Sequence, residues 1–73
     1  MEPDRIVREK ERRVVTAIGR STAYEWERRG LYPRRVSLPG GRVGWRLSEL
    51  LAWVRDRPAV EQGEAARNTE QGG

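Results

Sequence analysis

The chain contains no cysteine, no histidine and no phenylalanine. Without cysteine, disulfides and thiolate metal sites are excluded. Without histidine, the commonest general base and the commonest metal ligand are gone. Without phenylalanine, three Trp and two Tyr must supply all the aromatic volume of the interior. No run approaches the roughly 18 consecutive apolar residues of a membrane span, and the N-terminus lacks the apolar core of a signal peptide. Paired carboxylates for catalysis are missing as well, because Glu9/Glu11 and Glu25/Glu27 stand two residues apart and diverge on a helix. A cytoplasmic, non-enzymatic protein without cofactor or metal is expected. Its 73 residues suffice for one small domain with a thin core.

Charge is what the chain has in quantity. It carries 15 basic and 11 acidic residues, a net +4, and all but one of the basic residues are arginine. From Met1 to Arg57, 14 basic residues stand against 8 acidic ones; from Pro58 to Gly73, one stands against three. Between Arg28 and Arg46 there are six arginines and no acid. An arginine-rich genome raises the number of arginines, but it does not clear acids from the middle of the chain. The asymmetry points to a polyanionic partner met by residues 5–57. Residues 1–4 are expected to be a flexible start, and residues 58–73, with one sizeable aliphatic, a disordered tail.

Within residues 5–57 the apolar spacing predicts helix, turn, helix, hairpin, helix. Arg5 to Arg8 reads as a short strand or an extended lead-in. Glu9 to Ile18 reads as a helix with Val14, Val15 and Ile18 on one face, Arg12 mostly off it, and Glu11 within it, needing an arginine partner. Gly19 breaks the run and serves as an N-cap for a second helix, Arg20 to Arg29, which Gly30 stops. Arg35 to Leu38 and Arg42 to Trp45 flank Pro39-Gly40-Gly41, the composition of a β-hairpin. Leu47, Leu50, Leu51 and Val54 recur at helical spacing, with Ser48 as a cap near the start and Pro58 beyond the end. The expected fold is mainly α with a small β-hairpin, a winged helix-turn-helix with a two-stranded wing and a third helix.

On a helical wheel the second helix divides its labour. Ala23 and Trp26 point inward, flanked by Thr22 and Glu27. Arg20, Ser21, Tyr24, Glu25 and Arg28 point outward. A helix of this kind presents its N-terminal residues to base edges in the major groove, with arginine reaching guanine and Ser or Tyr holding phosphates. Arg42 beside the turn suits a narrow minor groove, and Arg34, Arg35 and Arg46 near the base of the hairpin suit phosphates. The candidate DNA-binding residues are therefore Arg20, Ser21, Thr22, Tyr24, Arg28, Arg34, Arg35, Arg42 and Arg46. A solvated surface is the plainer reading of any one of them taken alone. Trp26, Trp45 and Trp53 are expected to fill the interior, as is Tyr32 at the corner before Pro33. If a Trp were exposed, stacking on single-stranded nucleic acid would come into play. A rival reading of another class is a protein-interaction module that docks through Leu47, Leu50, Leu51 and Val54 of the third helix.

The sequence resembles the AlpA-type phage and prophage regulators, which overlap with small excisionases and carry a MerR-like winged helix-turn-helix. The resemblance runs from Arg5 to about Pro58. It rests on Arg20-Ser21-Thr22 with Tyr24, on Gly30 and Pro33, and on Val43-Gly44-Trp45-Arg46 followed by Ser48-Glu49-Leu50-Leu51-Ala52-Trp53. Thr16-Ala17-Ile18-Gly19 stands where the family usually has Thr-Gly-Leu-Ser, and Arg12 where it tends to have an apolar residue. The resemblance implies binding to double-stranded DNA at a defined site of a mobile element, in a bacterial or phage-encoded cytoplasmic protein. It implies a transcriptional regulator or an excisionase (recombination directionality factor), two roles that use the same face. An integrase and further copies of the chain on DNA are the partners that go with it.

Overall fold

A short extended segment, a helix, a turn and a second helix open the fold in the computed structural model, which describes residues 4–60. The expectations for residues 1–3 and 61–73 lie outside that range. Strand β1 (Ile6–Val7) leads into α1 (Glu9–Thr16), and α2 is Arg20–Arg28. Strands β2 (Val36–Leu38) and β3 (Arg42–Arg46) form the hairpin, and α3 is Leu47–Arg55. This is the winged helix-turn-helix order, with one addition. The lead-in strand pairs with the hairpin, so the sheet has three antiparallel strands in the order β1-β3-β2.

Helix α1 ends sooner than its apolar residues suggest. Ala17 takes the left-handed conformation at φ 63°, and its N–H closes the helix on the Arg13 carbonyl at 2.7 Å. A side chain in that conformation is strained. Ala17 stands where the AlpA-type turn has its glycine, which explains why glycine suits the position. Ending the helix there also removes Ile18 from its face. The expected stripe is thereby corrected: Val14 is 78% exposed, whereas Arg12 is fully buried. Glu11 sits on the outer side, paired with Arg5. Arg12 faces inward because α1 lays its Arg12–Thr16 edge against the rest of the domain, and both residues are buried.

Helix α2 follows an extended Gly19, which offers no side-chain cap. Its far end closes in a Schellman arrangement: Leu31 N–H donates to the Trp26 carbonyl at 2.8 Å and Gly30 N–H to that of Glu27 at 3.0 Å. Gly30, at φ 77°, supplies the conformation this requires. In the hairpin Leu38 faces Arg42 and Val36 faces Gly44, leaving the three-residue loop expected at Pro39-Gly40-Gly41. Gly44 is the tight point of the sheet. A Cβ there would stand 2.5 Å from Ile6 Cγ2 and 3.0 Å from the Val7 carbonyl oxygen.

Helix α3 leaves β3 without a loop, and its cap corrects the sequence reading. Ser48 lies inside the first turn. Asp4, from the expected loose start, accepts hydrogen bonds from Ser48 N–H at 2.9 Å and Ser48 Oγ–H at 2.7 Å. The Arg5 carbonyl takes the Leu47 N–H at 2.8 Å. Asp4 and Arg5 are thus bound to the first turn of α3.

The core gathers Val7, Ala23, Tyr32, Trp45 and Leu50, with Val15, Ile18, Trp26, Leu47 and Trp53 against them. Trp45 and Tyr32 fill the interior as expected; Trp26 and Trp53 are half-buried, and Trp53 Nε1–H donates to the Leu31 carbonyl at 2.8 Å. Arg12 runs through this apolar set. Its Nε–H and Nη2–H donate to Glu9, at 3.0 and 2.6 Å. Nη1–H donates to the Ile18 carbonyl at 2.9 Å and to the Tyr32 hydroxyl at 3.0 Å. Thr16 Oγ1 meets the same hydroxyl at 2.8 Å. The guanidinium also lies 5.2 Å from the Trp45 ring centroid and 5.9 Å from that of Tyr32. A buried cation is tolerated only with its donors satisfied, and here each nitrogen has an acceptor. Because one acceptor is the Ile18 carbonyl, the same group fixes the turn that launches α2. Among the described residues no helix is long and apolar enough to cross a membrane.

Candidate nucleic-acid interface

Helix α2 divides as the wheel suggests. Ala23 is buried against the core, while Arg20, Ser21, Thr22 and Arg28 are exposed. No acid occupies the first turn of α2, so the positive end of its dipole is not offset there. Toward the other end, Glu25 pairs with Arg28 and stands 3.1 Å from Arg29 Nε. The outward face is therefore cationic near Arg20 and partly neutralised a turn and a half later.

Tyr24 departs from a purely outward position. It is half-buried, touches the core cluster, and carries one arginine from α2 and one from the segment before β2. The Arg35 guanidinium carbon lies 4.1 Å from its ring centroid and that of Arg20 lies 5.5 Å away. Glu27 stands beside Arg35, with Oε1 3.1 Å from Nε and Oε2 accepting the Nε–H at 3.4 Å. The single hydrogen on Nε is aimed at Oε2, so buried Oε1 is in ion-pair contact yet accepts no hydrogen bond. A cleft of about 680 Å³ opens here, lined by Tyr24, Glu27, Arg28, Gly30, Arg34 and Arg35. Three arginines against one carboxylate make it an anion-seeking cleft.

The remaining candidates lie along the sheet. Arg42 is exposed beside the glycine turn, and Arg34 is exposed before β2. Among the described residues neither has a carboxylate at salt-bridging distance, nor has Arg20. Arg46 is at the other end of β3, roughly 13 Å along the strand from Arg42 at the usual rise. It pairs with Glu49 at 3.5 Å. The structure thus brings Arg20, Tyr24, Arg28, Arg34 and Arg35 around one ring and one cleft, sets Arg42 at the hairpin tip, and leaves Arg46 beside the start of α3.

Ionisation follows the same geography. The Asp4 carboxyl is held below its ordinary range by the two hydrogen bonds from Ser48, with Arg46 adding to them. Glu9 is lowered by its hydrogen bonds from Arg12, with the charges of Arg12, Arg20 and Arg13 contributing. Glu11 is lowered by Arg5. Sequence reasoning missed Glu27 and Arg12. Glu27 meets a residue eight positions away in the segment before β2, which no spacing rule foresees. For Arg12 a signal existed: a charge standing where the AlpA-type pattern has an apolar residue.

The fold splits the apolar set of α3 that would dock a partner. Leu50 is fully buried and Leu47 half-buried, which leaves Leu51 and Val54 on the surface at 44% and 42% exposure.

The family model described as Prophage CP4-57 regulatory protein (AlpA) matches residues 5–58. A protein of Enterobacteria phage P4, named Uncharacterized protein ORF88, is 41% identical over 56 residues. That match covers 77% of this chain and 64% of the phage protein, so the chain spans a little under two thirds of that relative's length. No solved structure matches the chain. Since the matched region takes in every helix and strand just described, the chain belongs to the AlpA family of prophage regulatory proteins.

Proposed function

We propose that this regulator binds double-stranded DNA in a sequence-specific manner at a site in a mobile element. In this reading α2 enters the major groove with Arg20, Ser21 and Thr22 leading. The β2–β3 wing lies along the adjacent minor groove with Arg42 at its tip. Arg28, Arg34 and Arg35 hold phosphates from the cleft, and Arg46 reaches the backbone at the far end of the wing. The carrying observation is the partition of α2, with Ala23 buried and three donor side chains exposed at its N-terminal end. Uncompensated Arg34 and Arg42 support it, since surface arginines left without carboxylates favour a polyanion. The phage origin of the relative supports a mobile element as the setting.

Two uses of this binding share one face: transcriptional control, and excision, in which copies bound side by side bend the DNA for an integrase in the cytoplasm. Selection from a randomised duplex library at low and moderate salt separates them. Short motifs repeated at close spacing are the result expected of an excisionase, and a single inverted repeat that of a dimeric regulator. Arg42→Ala is expected to weaken binding and to reduce the salt slope by about 1, the signature of one phosphate-range contact. Enrichment of nothing at either salt overturns the DNA reading. It would bring forward partner docking through exposed Leu51 and Val54.

A further inference from the structure

Glu27 is an anomaly on a surface proposed to meet a polyanion. Its side chain is only 14% exposed, and a carboxylate both desolvated and turned toward phosphates is disfavoured twice over unless it holds something. What it holds is Arg35, by Nε alone. The same guanidinium rests over Tyr24 at 4.1 Å, attracted by the negative face of the ring. Its two terminal nitrogens have no aligned acceptor in the hydrogen-bond geometry of the described residues, while the Tyr24 hydroxyl lies near enough, ahead of Glu27, to raise the Arg35 pKa above its ordinary value. Arg35 is therefore gripped along one edge by a carboxylate and against one face by an aromatic ring, with the other edge of its donor fork left open. That open edge is the part that matches two acceptors at once, whether phosphate oxygens or O6 and N7 of guanine. Arg20 approaches the same ring at 5.5 Å.

We propose that Tyr24 and Glu27 form a cradle that orders Arg35, and through the ring also Arg20, before DNA arrives. Tyr24 is then a positioning residue rather than a side chain that holds DNA itself. The cost of ordering long, rotamer-rich side chains is met in the free protein and no longer opposes binding. The cradle rests on the DNA-binding reading for its purpose, but its geometry is testable in the free protein.

The experiment has two arms, run on the full chain with circular dichroism as the check on folding. In the first, nuclear magnetic resonance of the free protein follows the side-chain protons of Arg35 and Arg20. Ring-current upfield shifts are expected in wild type and Tyr24→Phe, and their loss in Tyr24→Leu. In the second, binding is measured to the duplex that selection enriches and to a scrambled one. Tyr24→Phe is expected to stay within about twofold of wild type, and Tyr24→Leu to bind the preferred duplex roughly tenfold more weakly, with a smaller loss on the scrambled one. Glu27→Gln removes a negative charge, so electrostatics alone makes it bind more tightly; the cradle makes it bind about threefold more weakly on the preferred duplex. Unshifted arginine protons, full binding by Tyr24→Leu, or tighter binding by Glu27→Gln each overturn the cradle. Tyr24→Phe as weak as Tyr24→Leu also overturns it, since the hydroxyl and not the ring would then be at work. A wild type that binds no duplex overturns the DNA reading instead, and the resonance shifts still report on the cradle.

Discussion

Arg12 and Arg35 are held by the same two kinds of neighbour, yet they serve opposite ends. Each guanidinium lies over an aromatic ring, Trp45 and Tyr32 for Arg12 and Tyr24 for Arg35. Each is paired with a glutamate on a helix, Glu9 or Glu27. The difference is in the donors left over. Arg12 is fully buried and commits Nε, Nη1 and Nη2 to acceptors within the domain. Arg35 is exposed and has an aligned acceptor at Nε only. One arrangement makes an internal bolt, the other a presented donor. Burial and the number of satisfied N–H groups decide which, and the type of residue does not.

Truncation is the strongest way to break this comparison. Arg12→Ala leaves the Tyr32 hydroxyl and the Ile18 carbonyl without their cation and opens a void beside Trp45. A loss of about 3 to 5 kcal/mol is expected, enough to unfold most molecules of so small a domain. Arg35→Ala is expected to change stability by less than about 0.5 kcal/mol, because an exposed pair contributes little. Urea titration of the two variants checks the contrast, and similar midpoints would erase it. Arg12→Met sharpens the result: an apolar chain of similar length, of the kind the family tends to place there, avoids the desolvation of a charge. It is expected to lie within about 1.5 kcal/mol of wild type.

Strand β3 links the two regions, since Gly44 stands opposite Val36, the neighbour of Arg35, and precedes Trp45, which lies beside Arg12. Gly44→Ala drives a methyl into Ile6 Cγ2 and the Val7 carbonyl. One of those neighbours is backbone and cannot rotate away. The expected cost is about 1 to 3 kcal/mol in the same titration, falling on fold and binding together. A variant that kept full stability while losing duplex binding would separate the two regions more cleanly than this geometry permits.

Much of this was legible in the residues. The three helices, the hairpin and its glycine turn followed from spacing and from Gly30, Gly40 and Gly41, because local patterns dictate local structure. The inward placing of Trp45 and Tyr32 followed from the need for volume in a chain without phenylalanine. What the pattern concealed was long-range or paradoxical. Asp4 caps a helix 44 positions downstream, and nothing near Asp4 announces it. The charge of Arg12 points to the surface, although its position on α1 faces the core. The apolar side chain of Val14 points to the core, although it lies outside. In both cases the hydropathy of the side chain pointed one way and the rotation of a short, early-ended helix the other. At the site, the outward face of α2 was legible, but the tie from Glu27 to Arg35 depends on how α2 and the segment before β2 come together.

The turn that Arg12 bolts from inside is itself strained, and relieving the strain tests how much work the bolt does. Ala17 sits at φ 63°. Ala17→Gly is expected to raise stability by about 0.5 to 1 kcal/mol, the strain relieved exceeding the added freedom of the unfolded chain. The gain should be seen as a higher melting temperature with unchanged duplex binding, because the Ile18 carbonyl keeps its bond to Arg12. A gain in stability accompanied by weaker binding would mean that the turn, and not Arg12, sets the orientation of α2.

The smallest effect is the response to acid, and it again divides interior from surface. Glu9, held by Arg12, and Asp4, held by Ser48, have carboxyls lowered from their ordinary values. A carboxylate lowered in the folded state stabilises it fully above the unfolded value, near pH 4. That contribution is lost as the pH falls through the folded value. Arg12 stays protonated throughout, and with no histidine the chain lacks the side chain whose ordinary pKa lies near neutrality. Stability should therefore be level across neutrality and decline below about pH 4.5, where protonated Glu9 leaves the buried guanidinium without its counter-charge. In Glu9→Gln the starting stability is lower and the acid decline shallower; Asp4→Asn shows the same change to a lesser degree, since its bonds lie at the surface. Equal acid slopes in wild type and Glu9→Gln would mean that the Arg12 pair does not couple protonation to folding, and the bolt would then rest on the Tyr32 hydroxyl, the Ile18 carbonyl and the two rings alone.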